Sequence, residues 1–199
     1  MLLLPTDKRS ARAYLLKERN ALSAIDVANN SAAICDRMLD FILLSGAGDI
    51  LLFYPIGNEP DLLPLATSLL RHKKHIYFPI SKKDTVSLDF REVTSLDELE
   101  VGAYGIKEPP ANNPLFNNST HSVCVVPALS YDANGMRIGY GKGYYDRFLS
   151  EFSGISVGIV FSCLMSQSIP TDKYDVPVDV MITEEGVTVV NETKEIVYL

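Results

Sequence analysis

No stretch of the 199 residues is apolar for long enough to cross a bilayer, and the opening Met-Leu-Leu-Leu is cut off by Pro5 and then by charge. That opening is too short for the core of a signal peptide, so a soluble cytoplasmic protein with no membrane partner is expected. Cations are also in short supply: 18 Lys and Arg stand against 25 Asp and Glu, a net charge of −7. This balance gives no broad footprint for nucleic acid and favours small substrates, which a local cationic pocket can still serve. Cys35, Cys124 and Cys163 are odd in number, far apart and without a Cys-x-x-Cys pair. They read as reduced, buried thiols rather than as disulfides or zinc ligands, and Cys124, inside an apolar run, reads as a small core residue. His72, His75 and His121 lack metal-ligand spacing. No repeat, low-complexity tract or convincing Ser/His/Asp or Cys/His arrangement is present.

What is present is an alternation of apolar runs with helical periods. The pattern predicts helices over 6–22 and 23–45, the second capped by Ser23 with Val27, Ile34, Met38 and Phe41 on one face. Strands are predicted at 49–55, 75–80, 86–93, 122–129 and 155–161, with a last one at 180–190 closing the sheet, and helices at 61–72 and 143–152. Residues 102–121, rich in Gly, Pro and Asn, read as loop, and 166–177 as turns. Strands separated by helices argue for an α/β fold with a largely parallel sheet, because parallel neighbours need crossovers. The length suits one domain over 1–199, burying about 70% of the unfolded surface.

One decapeptide stands apart: Arg137-Ile-Gly-Tyr-Gly-Lys-Gly-Tyr-Tyr-Asp146 places three glycines, two cations and a carboxylate just before a predicted helix. Glycines let backbone N–H groups approach a ligand closely, and a helix start adds further N–H groups, so a polyanion is the natural guest. Arg137 and Lys142 supply positive charge. Asp146 belongs beside phosphate only if a divalent cation joins them, as Mg²⁺ does when it bridges carboxylate and phosphate oxygens. The Walker pattern does not fit, since Met136 stands where its first glycine belongs and Gly143 where its Ser or Thr does. A dinucleotide fingerprint fails as well, with Tyr144 at its third glycine.

Residues 125–149 resemble the signature of the 5-formyltetrahydrofolate cyclo-ligase family, also called 5,10-methenyltetrahydrofolate synthetase. Three further segments agree in family order: Lys8-Arg-Ser-Ala-Arg12, Tyr54-Pro-Ile-Gly-Asn-Glu59 and Gly105-Ile-Lys-Glu-Pro109. The resemblance implies a three-layer, Rossmann-like α/β/α sandwich with ATP and folate in one cleft. It implies ATP- and Mg²⁺-dependent closure of 5-formyltetrahydrofolate to 5,10-methenyltetrahydrofolate, with phosphorylation of the formyl oxygen and attack by N10. Both nucleophiles are then substrate atoms, and catalysis becomes positioning and charge neutralisation.

Carried onto this chain, the resemblance assigns the nucleotide to Lys8, Arg9, Ser10 and Arg12 and to Arg137, Ile138, Gly139, Tyr140, Gly141, Lys142, Gly143, Tyr144 and Tyr145. Lys142 and Arg137 take the catalytic roles, and Asp146 and Asp179 the metal. Tyr54 and Glu59 contact the folate, together with Tyr140, Gly141, Lys142, Gly143 and Tyr144. By spacing alone Asp179 reads as a residue at the start of a strand. The chain departs from relatives with Arg at the Tyr140 position and with a Val-Asp-Thr-like run at Pro60-Asp-Leu-Leu63. Competing readings are an ATP-dependent kinase or ligase on another small substrate, and a non-catalytic folate- or nucleotide-binding regulator. A monomer or weak homodimer is expected.

Overall fold

Two capped helices open the chain, of which the computed structural model describes residues 1–192. Asp7 accepts the Ser10 N–H at 2.9 Å and starts α1 (Lys8–Asn20). Ser23 accepts the Asp26 N–H at 3.0 Å and starts α2 (Ala24–Ser45), which Gly46 ends in the left-handed conformation. The apolar stripe of α2 is buried through Ile34, Met38 and Phe41, and Val27 packs against the same core. Strand β1 (Asp49–Leu51) is shorter than the predicted 49–55, its ladder stopping at Leu51. It is followed by α3 (Leu63–Arg71), β2 (His75–Lys82) and β3 (Ser87–Val93). A small hairpin, β4 (Glu100–Val101) with β5 (Lys107–Glu108), straddles the start of the segment predicted as loop, its second strand lying inside 102–121.

The second half runs β6 (Ser122–Pro127), a hairpin of β7 (Ser130–Tyr131) and β8 (Arg137–Ile138), α4 (Tyr144–Leu149), β9 (Ile155–Ile159), β10 (Val180–Ile182) and β11 (Val187–Val189). The predicted strand over 180–190 is thus two strands. Thr183 Oγ1 accepts the N–H groups of Glu185 and Gly186 while the Thr183 N–H donates to Gly186 O, and that turn reverses the chain. The β7–β8 hairpin, which the alternation does not announce, is pinned by Asp132. Its Oδ1 accepts from the N–H groups of Asn134 and Met136, and Gly135 takes φ +72° between them.

Among the described residues seven strands form one sheet in the order β11-β10-β9-β6-β1-β2-β3. The five inner strands are parallel and the two edge strands antiparallel. Helices α2 and α3 pack on each other and on the sheet, while α4 packs on β3 and α1 on β8. This is the three-layer α/β/α arrangement. The inner strands are largely apolar, as a sheet covered on both faces requires. Cys124 is fully buried there and Cys35 lies in the same core, but Cys163 is exposed, against the expectation of three buried thiols. A second, smaller cluster of Ala11, Leu15, Leu129, Ile138 and Ile169 seats α1 on the base of the glycine segment.

Candidate active site

Parallel strands leave a crevice beyond their carboxyl ends, and here a cleft of about 500 Å³ lies there. Phe53 and Tyr54 after β1, Pro79 and Ser81 from β2 and Pro127 from β6 line it. The whole glycine segment from Arg137 to Asp146 lines it too, together with Lys8 and Arg12 from α1. Sequence positions more than a hundred residues apart therefore meet in one cavity.

The glycine segment is shaped by φ at two of its three glycines. Gly141 has φ +87° and Gly143 φ +73°, whereas Gly139 stays outside the left-handed region. At Gly141 a Cβ would come within 2.8 Å of Arg12 Cζ, so the absence of a side chain lets the guanidinium lie against the backbone. Arg12 Nε donates to Gly139 O at 3.0 Å, making Arg12 a buttress of the segment. The helix that follows has only six residues, shorter than the predicted 143–152, so its dipole is small. Lys142 is exposed, and among the described residues no carboxylate pairs with it.

Arg137 is not a mobile charge. It is buried, donating to Val176 O and, at 2.6 Å, to Asp146 Oδ1. Asp146 Oδ1 also receives the Val176 N–H at 3.4 Å, and both hydrogen bonds fall on that one oxygen. A carboxylate held by an arginine and lining the cleft beside the glycine segment has the chemistry of a Mg²⁺ ligand, which needs only one or two carboxylates beside phosphate and water. Asp179 is elsewhere. Its Oδ2 accepts from the Ser156 N–H at 2.8 Å and Oγ at 2.7 Å, its Oδ1 from Asn191 at 2.9 Å, and it does not line the cleft. These donors, from the start of β9 and from just after β11, engage both oxygens, and among the described residues no group of three or more His, Cys, Asp or Glu stands ready for a metal.

Lys8 reaches the cleft but is held there by two carboxylates, Asp172 at 2.8 Å and Asp175 at 2.5 Å. Burial alone would lower its pKa; the two carboxylates outweigh that and raise it. Arg9 and Ser10 are exposed and lie outside the cleft lining, the Ser10 N–H being spent on the cap of α1. Asp175 is a lining residue that no sequence motif marks, because its partner Lys8 is 167 positions away.

The other wall carries Glu59. Its Oε1 accepts from Arg19 Nη1 at 3.2 Å and from the Tyr140 hydroxyl at 3.0 Å, and its Oε2 from the Ile56 N–H at 3.0 Å. Burial pushes its pKa above the ordinary carboxylate range, and Arg19, Ile56 and Tyr140 pull it back only in part. Arg19 belongs to no motif either, although the sequence holds a signal for it: it follows Ala11 and Leu15 at helical spacing, so a cation occupies the buried stripe of α1. Tyr104, at φ +59°, closes the rim by placing its hydroxyl 3.1 Å from that of Tyr144, and this bond pushes the Tyr144 pKa up to about 12.

A profile of the 5-formyltetrahydrofolate cyclo-ligase family matches residues 5–184. The chain belongs to that family. Among its relatives, the 5-formyltetrahydrofolate cyclo-ligase of Haemophilus influenzae is 29% identical over 185 residues, covering 89% of this chain and 98% of its own. The Escherichia coli K12 cyclo-ligase is 25% identical, covering 86% and 97%. The NMR structure of Aquifex aeolicus 5,10-methenyltetrahydrofolate synthetase superposes with a TM-score of 0.82 at 30% identity, over 96% of both chains. A synthetase from Mycoplasma pneumoniae, at 23% identity and a TM-score of 0.73 over 89% of this chain and 99% of its own, shares the fold. This member of the cyclo-ligase family is accordingly an enzyme.

Proposed function

We propose that the enzyme uses ATP to close 5-formyltetrahydrofolate into 5,10-methenyltetrahydrofolate, releasing ADP and phosphate, and that the described chain works as one catalytic unit. The observation that carries this reading is the shared cavity. A segment rich in glycine and cations faces the same 500 Å³ space as Tyr54 and the carboxylate of Glu59, so one substrate can bring phosphate to the other's carbonyl.

A formamide carbonyl is a poor electrophile because nitrogen donates into it, and its oxygen is a poor leaving group. Transfer of the γ-phosphoryl group to the formyl oxygen corrects both faults. N10 then attacks the activated carbon and gives up its proton to solvent, and the phosphate departs with the former formyl oxygen. The chain's contribution is to align the two substrates and to spread positive charge where the phosphoryl group moves. Lys142 supplies a point charge to that group, and the N–H groups around Gly141 and Gly143 approach its oxygens. Arg12 holds the segment in shape, and Arg137 fixes Asp146. Mg²⁺ would be held by Asp146, where it supplies charge neutralisation on the phosphates. Glu59 accepts an N–H of the pterin, with Tyr54, Tyr140 and Tyr144 offering aromatic faces.

The test is growth of the methenyl absorbance together with release of inorganic phosphate, each measured with and without ATP and Mg²⁺. Methenyl product formed only when all components are present is the expected result. ATP consumed without it would point to an enzyme acting on another substrate, and neither signal to a binding protein.

A further inference from the structure

Behind the folate wall of the cleft lies a buried charge that the reaction scheme leaves unused. Arg19 sits in the last turn of α1, buried, with Nη1 on Glu59 and Nη2 on the Tyr140 hydroxyl at 2.5 Å. Its guanidinium carbon lies 5.5 Å from the centroid of the Tyr140 ring, and its Nε meets no hydrogen-bond partner among the described residues. A cation is not left in such a place by packing alone, since removing it from water is costly unless its partners need it. The loop that carries Glu59 is also tied to the same helix end. Asn58 Nδ2 donates to Arg19 O at 3.1 Å and Leu22 O at 3.3 Å, which fastens the loop to the helix end.

We propose that Arg19 is a positioning residue of the cyclo-ligase reaction: clamped between Glu59 and Tyr140, it keeps the Glu59 carboxylate charged and leaves one acceptor position for the folate. The inference rests on the proposed function. Glu59 Oε1 has both lone-pair directions filled, by Arg19 and Tyr140, and Oε2 has one filled, by Ile56. The remaining direction on Oε2 is where a pterin N–H binds. Tyr140, half exposed on the cleft side, is oriented by the same guanidinium, so the phosphate segment and the folate wall share a fixed point.

Among the described residues, the titratable and charged groups facing Glu59 are Arg19 from α1, Tyr140 from the glycine segment and Tyr145 at the start of α4. Of these only Arg19 carries positive charge, and it opposes the burial that favours the neutral acid. Without Arg19 the carboxyl protonates at higher pH, the acceptor is lost there, and the acid limb of activity moves upward.

The experiment is the pH dependence of kcat/KM for 5-formyltetrahydrofolate at saturating ATP, in wild type, Arg19→Gln and Arg19→Lys. It is paired with a carbon-13 NMR titration of Glu59 in the ligand-free proteins. In Arg19→Gln both the acid limb and the Glu59 titration should rise by about one pH unit or more, with the folate KM up about tenfold and the ATP KM little changed. Arg19→Lys should restore the pH behaviour, because the charge returns, but only part of the affinity, because an ammonium lacks the fork. An Arg19→Gln protein with wild-type titration and acid limb overturns the proposal. So does a loss that is equal at all pH values and for both substrates. Should Arg19→Gln not fold, Arg19→Lys decides: a selective rise in folate KM supports the clamp, and unchanged or parallel KM values overturn it. A wild type that does not turn over 5-formyltetrahydrofolate defeats the functional reading instead, and the NMR titration still reports whether Arg19 controls Glu59.

Discussion

Among the described residues no carboxylate holds Lys142, whereas Arg137 and Lys8 are each paired and Arg12 is fixed on Gly139 O. A cation free to follow its ligand is suited to a phosphoryl group in transfer. Lys142→Ala should therefore lower kcat by on the order of 10² or more while leaving the melting temperature in place. Steady-state kinetics with both substrates saturating is the check, and an undiminished kcat would remove Lys142 from the chemistry. The two aspartates should separate in the same assay. Asp146→Asn should raise the Mg²⁺ concentration for half-maximal rate, since an amide keeps an oxygen but loses the charge. Asp179→Asn should leave that curve alone and destabilise by about 1–3 kcal/mol, because its amide N–H₂ must face one of the donors on Ser156 or Asn191. A shifted Mg²⁺ curve for Asp179→Asn would return that residue to the metal.

Elements set by local chemistry are the ones the sequence makes legible. Ser23 caps α2 as its position suggests, and Ser23→Ala should cost about 1 kcal/mol with catalysis unaffected, measurable by urea melts and the standard assay. The long helices, the inner strands and the glycine segment can be read because each writes its own period or composition. What cannot be read depends on partners distant in sequence. Asp175 becomes part of the cleft only through Lys8, and Arg19 faces Glu59 only because α1 docks on the base of the glycine segment. The β7–β8 hairpin has two-residue strands, too short for an alternation to register. The single strand expected over 180–190 divides in two because apolar residues continue across a Thr183–Gly186 turn that periodicity does not see.

For the molecule as a whole, the β7–β8 hairpin is a seal on the sheet. Tyr131 is fully buried, its hydroxyl donates to Val126 O at 2.9 Å, and its ring crosses β9 at Gly158, where a Cβ would come within 2.5 Å of the ring. Gly158→Ala should destabilise by about 1–3 kcal/mol through overpacking and lower the melting point by several degrees. Differential scanning calorimetry tests this, and an unshifted transition would mean the ring yields freely.

The strand order also has a consequence for how the chain comes off the ribosome. β1 pairs on one side with β2, made soon after it, and on the other with β6, whose register begins at Ser122; β6 in turn waits for β9 at Ile155. For the time that separates those residues in translation, the nascent half-sheet carries an apolar strand with one edge unsatisfied, the kind of edge that recruits other chains. A premature stop after β3 would therefore release an aggregating fragment rather than a smaller protein, and the lining of the cleft is complete only once the glycine segment and Asp175 have followed β6.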